Sequence, residues 1–454
     1  MSFVENINRR AAISALGGGL GLLGLSDHIA LATEQGSGCH HQPRARRVIQ
    51  LFMNGGPFQG DFFDPKPALN KYEGQRPGEV DLRTERKTGG LLGSPYKFRR
   101  HGASGLEISE LLPRLSQHAD DICVLRSVYT DNPNHGPALL LMNNGTITPT
   151  VPSMGSWLMY GLGSVNQNLP GYVVLCPGRP VRFSILWSSA FLPSQFQGSY
   201  VNHSTITPES MIPFLKNDKL SLPEQRDELD LVGSLNRLHG RSRGEDKQLA
   251  ARISAMETAF RMQSAGHEAF DISAEPAAIR EEYGGGHFAN GCLLARRLVE
   301  RDVRFVQVYY GNGQPWDTHT KHNEAVKGLA TSIDRPIAAL LADLKRRGML
   351  DDTLVIWGGE FGRTPVSENG SGRDHNHYGM TMWLAGGGSR GGYAHGATDE
   401  FGFRAVQDRM HVHDVHATVL HLLGIDHERL TYNYAGRDFR LTDVAGKVAQ
   451  AVLS

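Results

Sequence analysis

Three features of the sequence predict an α/β protein built on a mostly parallel central sheet with helices on both faces. Short apolar runs of strand length recur along the chain. Most of them end in a glycine-rich polar loop, and helix-patterned segments lie between them. The 454 residues suffice for one large domain or two ordinary ones. Hydrophobic residues make up 40% and charged residues 21%, the balance of a globular chain. Lys+Arg and Asp+Glu are both 47, so nothing in the charge favours a nucleic-acid partner.

The N-terminus reads as an address. Asn8-Arg9-Arg10 precedes an apolar, Gly-rich run over 11–25, and Ala30-Leu31-Ala32 offers a small-x-small cleavage pattern. The expectation is a signal peptide of twin-arginine type over 1–32, a polar linker over 33–45 and the main domain over 46–450. No later stretch reaches the roughly 20 apolar residues of a membrane span. The expected mature protein is therefore exported, periplasmic or cell-surface, and has no membrane span.

The run RVIQLFM (47–53) reads as a buried strand that ends in Asn54-Gly55-Gly56, with Asp61 and Asp64 in the loop beyond. ICVLRSV (122–128) is a second strand, ending in TDNPNH, and YVVLC (172–176) a third. Over 203–290 polar and charged residues dominate and 246–262 has helical period, which suggests a helical insertion. Strand pattern returns in VRFVQVYY (303–310), before GNGQPWDTHTKH. A long helix should follow over 324–347, with Ile333, Ile337, Leu340, Leu341 and Leu344 on one face and Pro336 bending it or starting its regular part. TLVIW (353–357) leads to GGEFGRTP, MTMWLA (380–385) follows SGRDHNHYG, and 413–424 reads as a last helix.

Polar residues gather in the loops at the strand ends: Asn54 with Asp61, Asn134 with His135, Asp317 with His319 and His322, Glu360 with Arg363, then Asp374, His375 and His377. In a doubly wound sheet the carboxyl ends of the strands share one edge, so these loops can converge. Carboxylates with imidazoles suit Zn²⁺, Mn²⁺ or Fe, whereas an all-oxygen set favours Mg²⁺ or Ca²⁺. Trp316, Trp357 and Trp383 read as core or pocket walls, and His411, His413, His416 and His421 as packing or surface. Four separated Cys with no C-x-x-C pair exclude a zinc finger and a disulfide-dense scaffold, and mostly free, buried thiols are expected.

The segments GGPFQGDFFDPKPAL, PSMGSWLMYGLGSVNQNLPGYVVL, CLLARRLVERDVRFVQVYYGNGQPWDTHTKH, DDTLVIWGGEFGRTP and GRDHNHYGM resemble the DUF1501 family of exported proteins. That family in turn resembles the alkaline phosphatase and sulfatase superfamily in the order of its late elements, closing on D-x-x-x-T-x-L-x-x-x-G-I (Asp414 to Ile425). The resemblance implies an alkaline phosphatase-like three-layer sandwich and a metal-dependent hydrolase of phosphate or sulfate esters. It implies a divalent metal, Zn first and Mn, Fe or Ca as alternatives, held by Asp61, Asp317, His319, Glu360 and His377, with Asp374 and His375 orienting His377. Arg363, Asn134 and His135 are the expected catalytic groups, Arg363 gripping two oxygens of an anionic small-molecule or glycan ester. Phe361 replaces a His of the superfamily pattern. The nucleophile's place, near Thr130 to His135, holds Asp131 and Asn132 nearest, with Thr130 beside them and Ser153 as an outside candidate. A non-catalytic exported protein of the same fold, binding a glycan or a protein partner, is the alternative.

Overall fold

The computed structural model describes residues 38–76, 84–212, 215, 217, 219–243 and 247–454. The expected signal peptide, the first part of the linker and Asp246 lie outside the described residues.

The strands of the main sheet are β1 (Arg47–Phe52), β3 (Ile122–Tyr129), β4 (Tyr172–Leu175), β5 (Ser199–Val201), β6 (Phe305–Tyr309), β7 (Thr353–Gly358), β10 (Met380–Ala385), β11 (Tyr393–His395) and β12 (Met410–His411). They form a nine-stranded sheet in the order β11-β3-β10-β7-β1-β6-β4-β5, with β12 beside β3. All pairings are parallel except those of β10, which runs against β3 and β7. The remaining strands therefore end on one common edge. A separate antiparallel sheet is formed by β2 (Thr88–Leu91), β8 (Gly362–Glu368) and β9 (Gly372–Asn376), in the order β9-β8-β2.

The period-2 alternation of β1 shows why the protein has three layers. Ile49, Leu51 and Met53 enter the core under α5 (His287–Glu300) and α6 (His322–Arg346), whereas Val48 and Phe52 face the opposite core. That second core is closed by α1 (His135–Asn144), α2 (Met154–Leu162) and α7 (Val412–Leu422). The apolar row expected on the long helix is buried, and Pro336 sits inside a continuous α6. Trp357 and Trp383 stack 6.1 Å apart in the core. Among the described residues Cys123, Cys176 and Cys292 are buried free thiols and Cys39 is an exposed one. Between β5 and α5 the chain forms two long helices, α3 (Leu222–Arg243) and α4 (Lys247–Phe270).

Buried polar groups fix the helix that reaches the site. In α1, Asn143 accepts from Gln307 of β6 at 2.6 Å, and Gln307 donates to Gln50 of β1 at 3.2 Å. At its end, His416 of α7 bonds Met142 O at 2.8 Å and His413 bonds Gly145 O at 2.7 Å. The packing reading of these two histidines is the one the contacts describe.

Candidate metal centre

Four loops at the common sheet edge and the β8–β9 hairpin meet around Asp317. Glycine makes the approach possible. Gly55, just past β1, has φ +118°, and a Cβ there would lie 2.5 Å from Asp317 N. Gly372, opening β9, lets the hairpin lie against the loop, since a Cβ there would lie 1.8 Å from His319 O. Asn54 anchors the same loop by donating to Gly311 O at 3.0 Å, while its own carbonyl accepts from Trp316 N–H.

Three imidazoles converge on one carboxylate. Nε2 of His319 and of His375 lie 2.8 and 3.1 Å from Asp317 Oδ1, and Nε2 of His135 lies 3.3 Å from Oδ2. Behind each ring, Nδ1 meets a different carboxylate. His135 Nδ1 is 2.7 Å from Glu360, His375 Nδ1 is 2.8 Å from Glu85, and His319 Nδ1 bonds Glu368. In a neutral ring a carboxylate behind Nδ1 favours the proton there and leaves the Nε2 lone pair facing inward, free for a cation. The Nε2 atoms of His319 and His375 are only 3.1 Å apart. Two such lone pairs and an ionised carboxylate repel one another unless protons on the rings or a cation sit between them. His135 with Asp317 and His375, and His319 with Asp374 and His375, each bring ligand atoms within 4.8 Å of one another. The buried Asp374 Oδ1 makes no hydrogen bond, as a ligand atom awaiting a cation would.

The electrostatics agree with this crowding. Burial alone would raise Asp317, yet hydrogen bonds from His135, His319 and His375 and the charge of Arg363 hold it well below the usual carboxylate range. His135 is raised to about 9, because its bonds to Asp317 and Glu360 outweigh the burial that opposes its charge.

The other expected site residues stand elsewhere. His377 lies beyond the end of β9, with its ring 3.9 Å from that of Tyr378 and its carbonyl accepting from Thr130 N–H, and burial lowers its pKa to about 4. His375, opposite Arg363 in the β8–β9 register, takes the inward position instead. Asp61 is fully buried and bonds Ser94 and His322, each at 2.7 Å, so its oxygens are spent away from the centre. His322 in turn bonds Thr318 at 2.6 Å, which braces the loop between Asp317 and His319. Glu360 stands one layer back, taking the His135 bond and Gly55 N–H at 3.0 Å.

Arg363 is fully buried, donating to the carbonyls of Gly55, Gly56 and Arg373 and to Asp317 at 2.5 Å. These bonds hold Arg363 against Asp317. Asn134 is exposed at the start of α1, and its side chain makes no capping bond there. Thr130 is buried, with an unbonded hydroxyl, and exposed Asp131 meets His411 at 3.1 Å. Ser153 caps α2. Phe361 packs between the His135 and His375 rings, at 4.8 and 4.6 Å. Glu85 and Glu368 had no local sequence signal: each is a lone Glu among polar neighbours.

The family model of DUF1501, described as a protein of unknown function, matches residues 45–453. The chain belongs to the DUF1501 family. Against curated protein sequences this DUF1501 chain has no match. Among solved structures it is similar to the PsFucS1 sulfatase from Pseudoalteromonas sp., at 15% identity and TM-score 0.36, over 89% of this chain and 71% of that one. It is similar to the lipoteichoic acid synthase LtaP from Listeria monocytogenes at 9% identity and TM-score 0.38, over 85% and 74% of the two chains. For the alkaline phosphatase from the Antarctic bacterium TAB5 the values are 11% and 0.36, over 84% and 98%. Likenesses this distant carry no argument about the DUF1501 site, which stands on its own geometry.

Proposed function

We propose that this DUF1501 protein is a metal-dependent hydrolase of phosphate or sulfate esters whose ion is held by His135, His319, His375 and Asp317. The supporting observation is the meeting of three Nε2 atoms on Asp317 with each Nδ1 backed by a carboxylate. Imidazole nitrogens with one carboxylate suit Zn²⁺ best, then Mn²⁺ or Fe, and they do not suit the oxygen-seeking Ca²⁺. When bound, such an ion polarises an ester oxygen and lowers the pKa of a bound water toward about 7. The chain's own residues hold the ligands in place: Glu360, Glu368 and Glu85 fix the rings, and Arg363 fixes Asp317. Thr318, between Asp317 and His319, has its hydroxyl tied to His322, and water rather than this threonine is the proposed nucleophile.

The proposal includes export of the folded, metal-loaded protein by the twin-arginine signal at Arg9-Arg10, with 203–290 as an insertion in the domain. Replacing both arginines by lysine is expected to stop export, read by cell fractionation.

The test is metal analysis of the purified protein followed by assays with aryl phosphates and aryl sulfates. One tightly bound transition metal per chain is expected, with hydrolysis that disappears in Asp317→Ala. Protein without stoichiometric metal would sink the reading. Metal without hydrolysis would leave the second reading, a non-catalytic binder of anionic glycans or a partner protein, which the burial of Arg363 favours.

A further inference from the structure

The loop after β4 brings an arginine to the mouth of the metal centre. It is pinned to the loop that carries Asp317: Gly313 N–H donates to Arg179 O at 2.9 Å, Arg179 N–H donates to Asn312 Oδ1 at 2.7 Å, and Pro180 bridges to Gly313. The 3₁₀ turn that follows, Phe183–Trp187, lies along α1, where Asn144 donates to Ile185 O at 3.2 Å. Arg182, between these two attachments, lays its guanidinium against Gly136, the neighbour of His135 in the first turn of α1. A Cβ on Gly136 would lie 2.6 Å from Arg182 Nε and 2.7 Å from Nη2, so the guanidinium takes the space a side chain would fill. This is the open side of the centre. The Asp317 side chain is 25% exposed, with His135 at 16% and His319 at 14%, whereas His375 and Glu360 are at 5% and 0%.

The fold does not hold the guanidinium there. Arg182 is exposed and, among the described residues, makes no hydrogen bond or ion pair. The first turn of α1 is the positive end of the helix, which repels a cation. The backbone of Arg182 is left-handed (φ 70°, ψ −14°) and so is that of Phe183 (φ 42°), a strain that clusters at functional sites. The other exposed arginines about the centre are committed: Arg179 lies over the Phe183 ring at 4.8 Å, and Arg86 pairs with Glu368 at 3.0 Å. The charge of the centre calls for a free one. Asp317, Asp374, Glu85, Glu360 and Glu368 outnumber Arg86 and Arg363 by more than one divalent ion offsets, so an anionic ester meets net negative charge as it arrives. A guanidinium presents two parallel N–H donors to two oxygens of a phosphate or sulfate group.

We infer that Arg182 grips the non-bridging oxygens of the ester's phosphate or sulfate group beside the ion, an inference that rests on the hydrolase reading above. The test is equilibrium dialysis of the full chain, with its metal, against inorganic phosphate and inorganic sulfate. Arg182→Gly removes the guanidinium and relieves the left-handed strain. It should melt at or above the wild-type temperature and keep its metal, yet bind the anion about 10–100-fold more weakly. Arg182→Lys, which keeps the charge and loses the fork, should fall between the two. For aryl phosphates or aryl sulfates kcat/KM should drop in the same order. Equal anion binding by wild type and Arg182→Gly overturns the inference, as does a wild type that binds neither anion. Lost metal or a lowered melting temperature in Arg182→Gly overturns it too, by making Arg182 a support of the fold. The hydrolase reading fails separately. Anion binding that depends on Arg182, with no ester hydrolysed, keeps the inference and sinks that reading, and hydrolysis indifferent to Arg182→Gly does the reverse.

Discussion

Two histidines separated by one residue have opposite fates in this protein. His375 is the last but one residue of β9 and points at Asp317, whereas His377 has left the strand and packs on Tyr378. The difference is testable by metal content. His375→Ala is expected to lose the bound ion, and His377→Ala to keep about one per chain. The reverse result would place the centre on the other side of the turn. Glu360 offers a finer distinction, because it acts on His135 and on Gly55 N–H. Glu360→Gln should weaken metal binding by about 10–100-fold without abolishing it, as expected for a partner behind a ligand. Complete loss in a metal titration would make Glu360 a ligand itself.

At the scale of elements, the decisive feature is how closely the turn after β1 meets the loop after β6. Gly55 combines positive φ with a 2.5 Å approach to Asp317 N, so a methyl group there has nowhere to go. Gly55→Ala should cost at least about 2–3 kcal/mol of folding stability, from strain of about 1–3 kcal/mol in the backbone plus the overlap. Gly348 also has positive φ (+64°) but nothing within 4 Å, so Gly348→Ala isolates the conformational part and should cost about 1 kcal/mol. Urea denaturation of the two variants measures the difference. Equal losses would show that the loop yields easily and does not fix Asp317.

For the molecule as a whole, buried neutral histidines set the response to acid. Burial lowers His416 to about 3 and His203 to about 4, from an ordinary 6.5. A depressed histidine stays neutral in the folded state, so between pH 6.5 and about 3 the unfolded chain takes up protons that the folded chain refuses. Their contribution is therefore fully present above pH 6.5 and is lost as pH falls through that window. The melting temperature should decline steadily from pH 7 to pH 4. His416→Gln, which keeps a donor for Met142 O, should decline less steeply. A variant curve parallel to wild type would remove His416 from the acid response.

Local pattern alone determined the strands around 47–53, 122–128, 172–176, 303–310, 353–357 and 380–385, the apolar face of α6 and the last helix. These are written in runs of a few residues with period 2 or 3.6, and each is paired or packed as its pattern requires. The short strands β5, β11 and β12 were not legible, because two or three residues carry no period. Asp317, His319 and His135 stand where polar residues after strand ends are expected to converge. Tertiary structure decided the rest of the centre. The end of β9 brings His375 rather than His377 to Asp317, Asp61 bonds buried His322, and buried Arg363 donates to Asp317. Glu85 and Glu368, distant from the ligands in sequence, complete the ring of carboxylates. A local run sets which way a side chain points relative to its own strand, but what it meets there depends on register, burial and the approach of other segments.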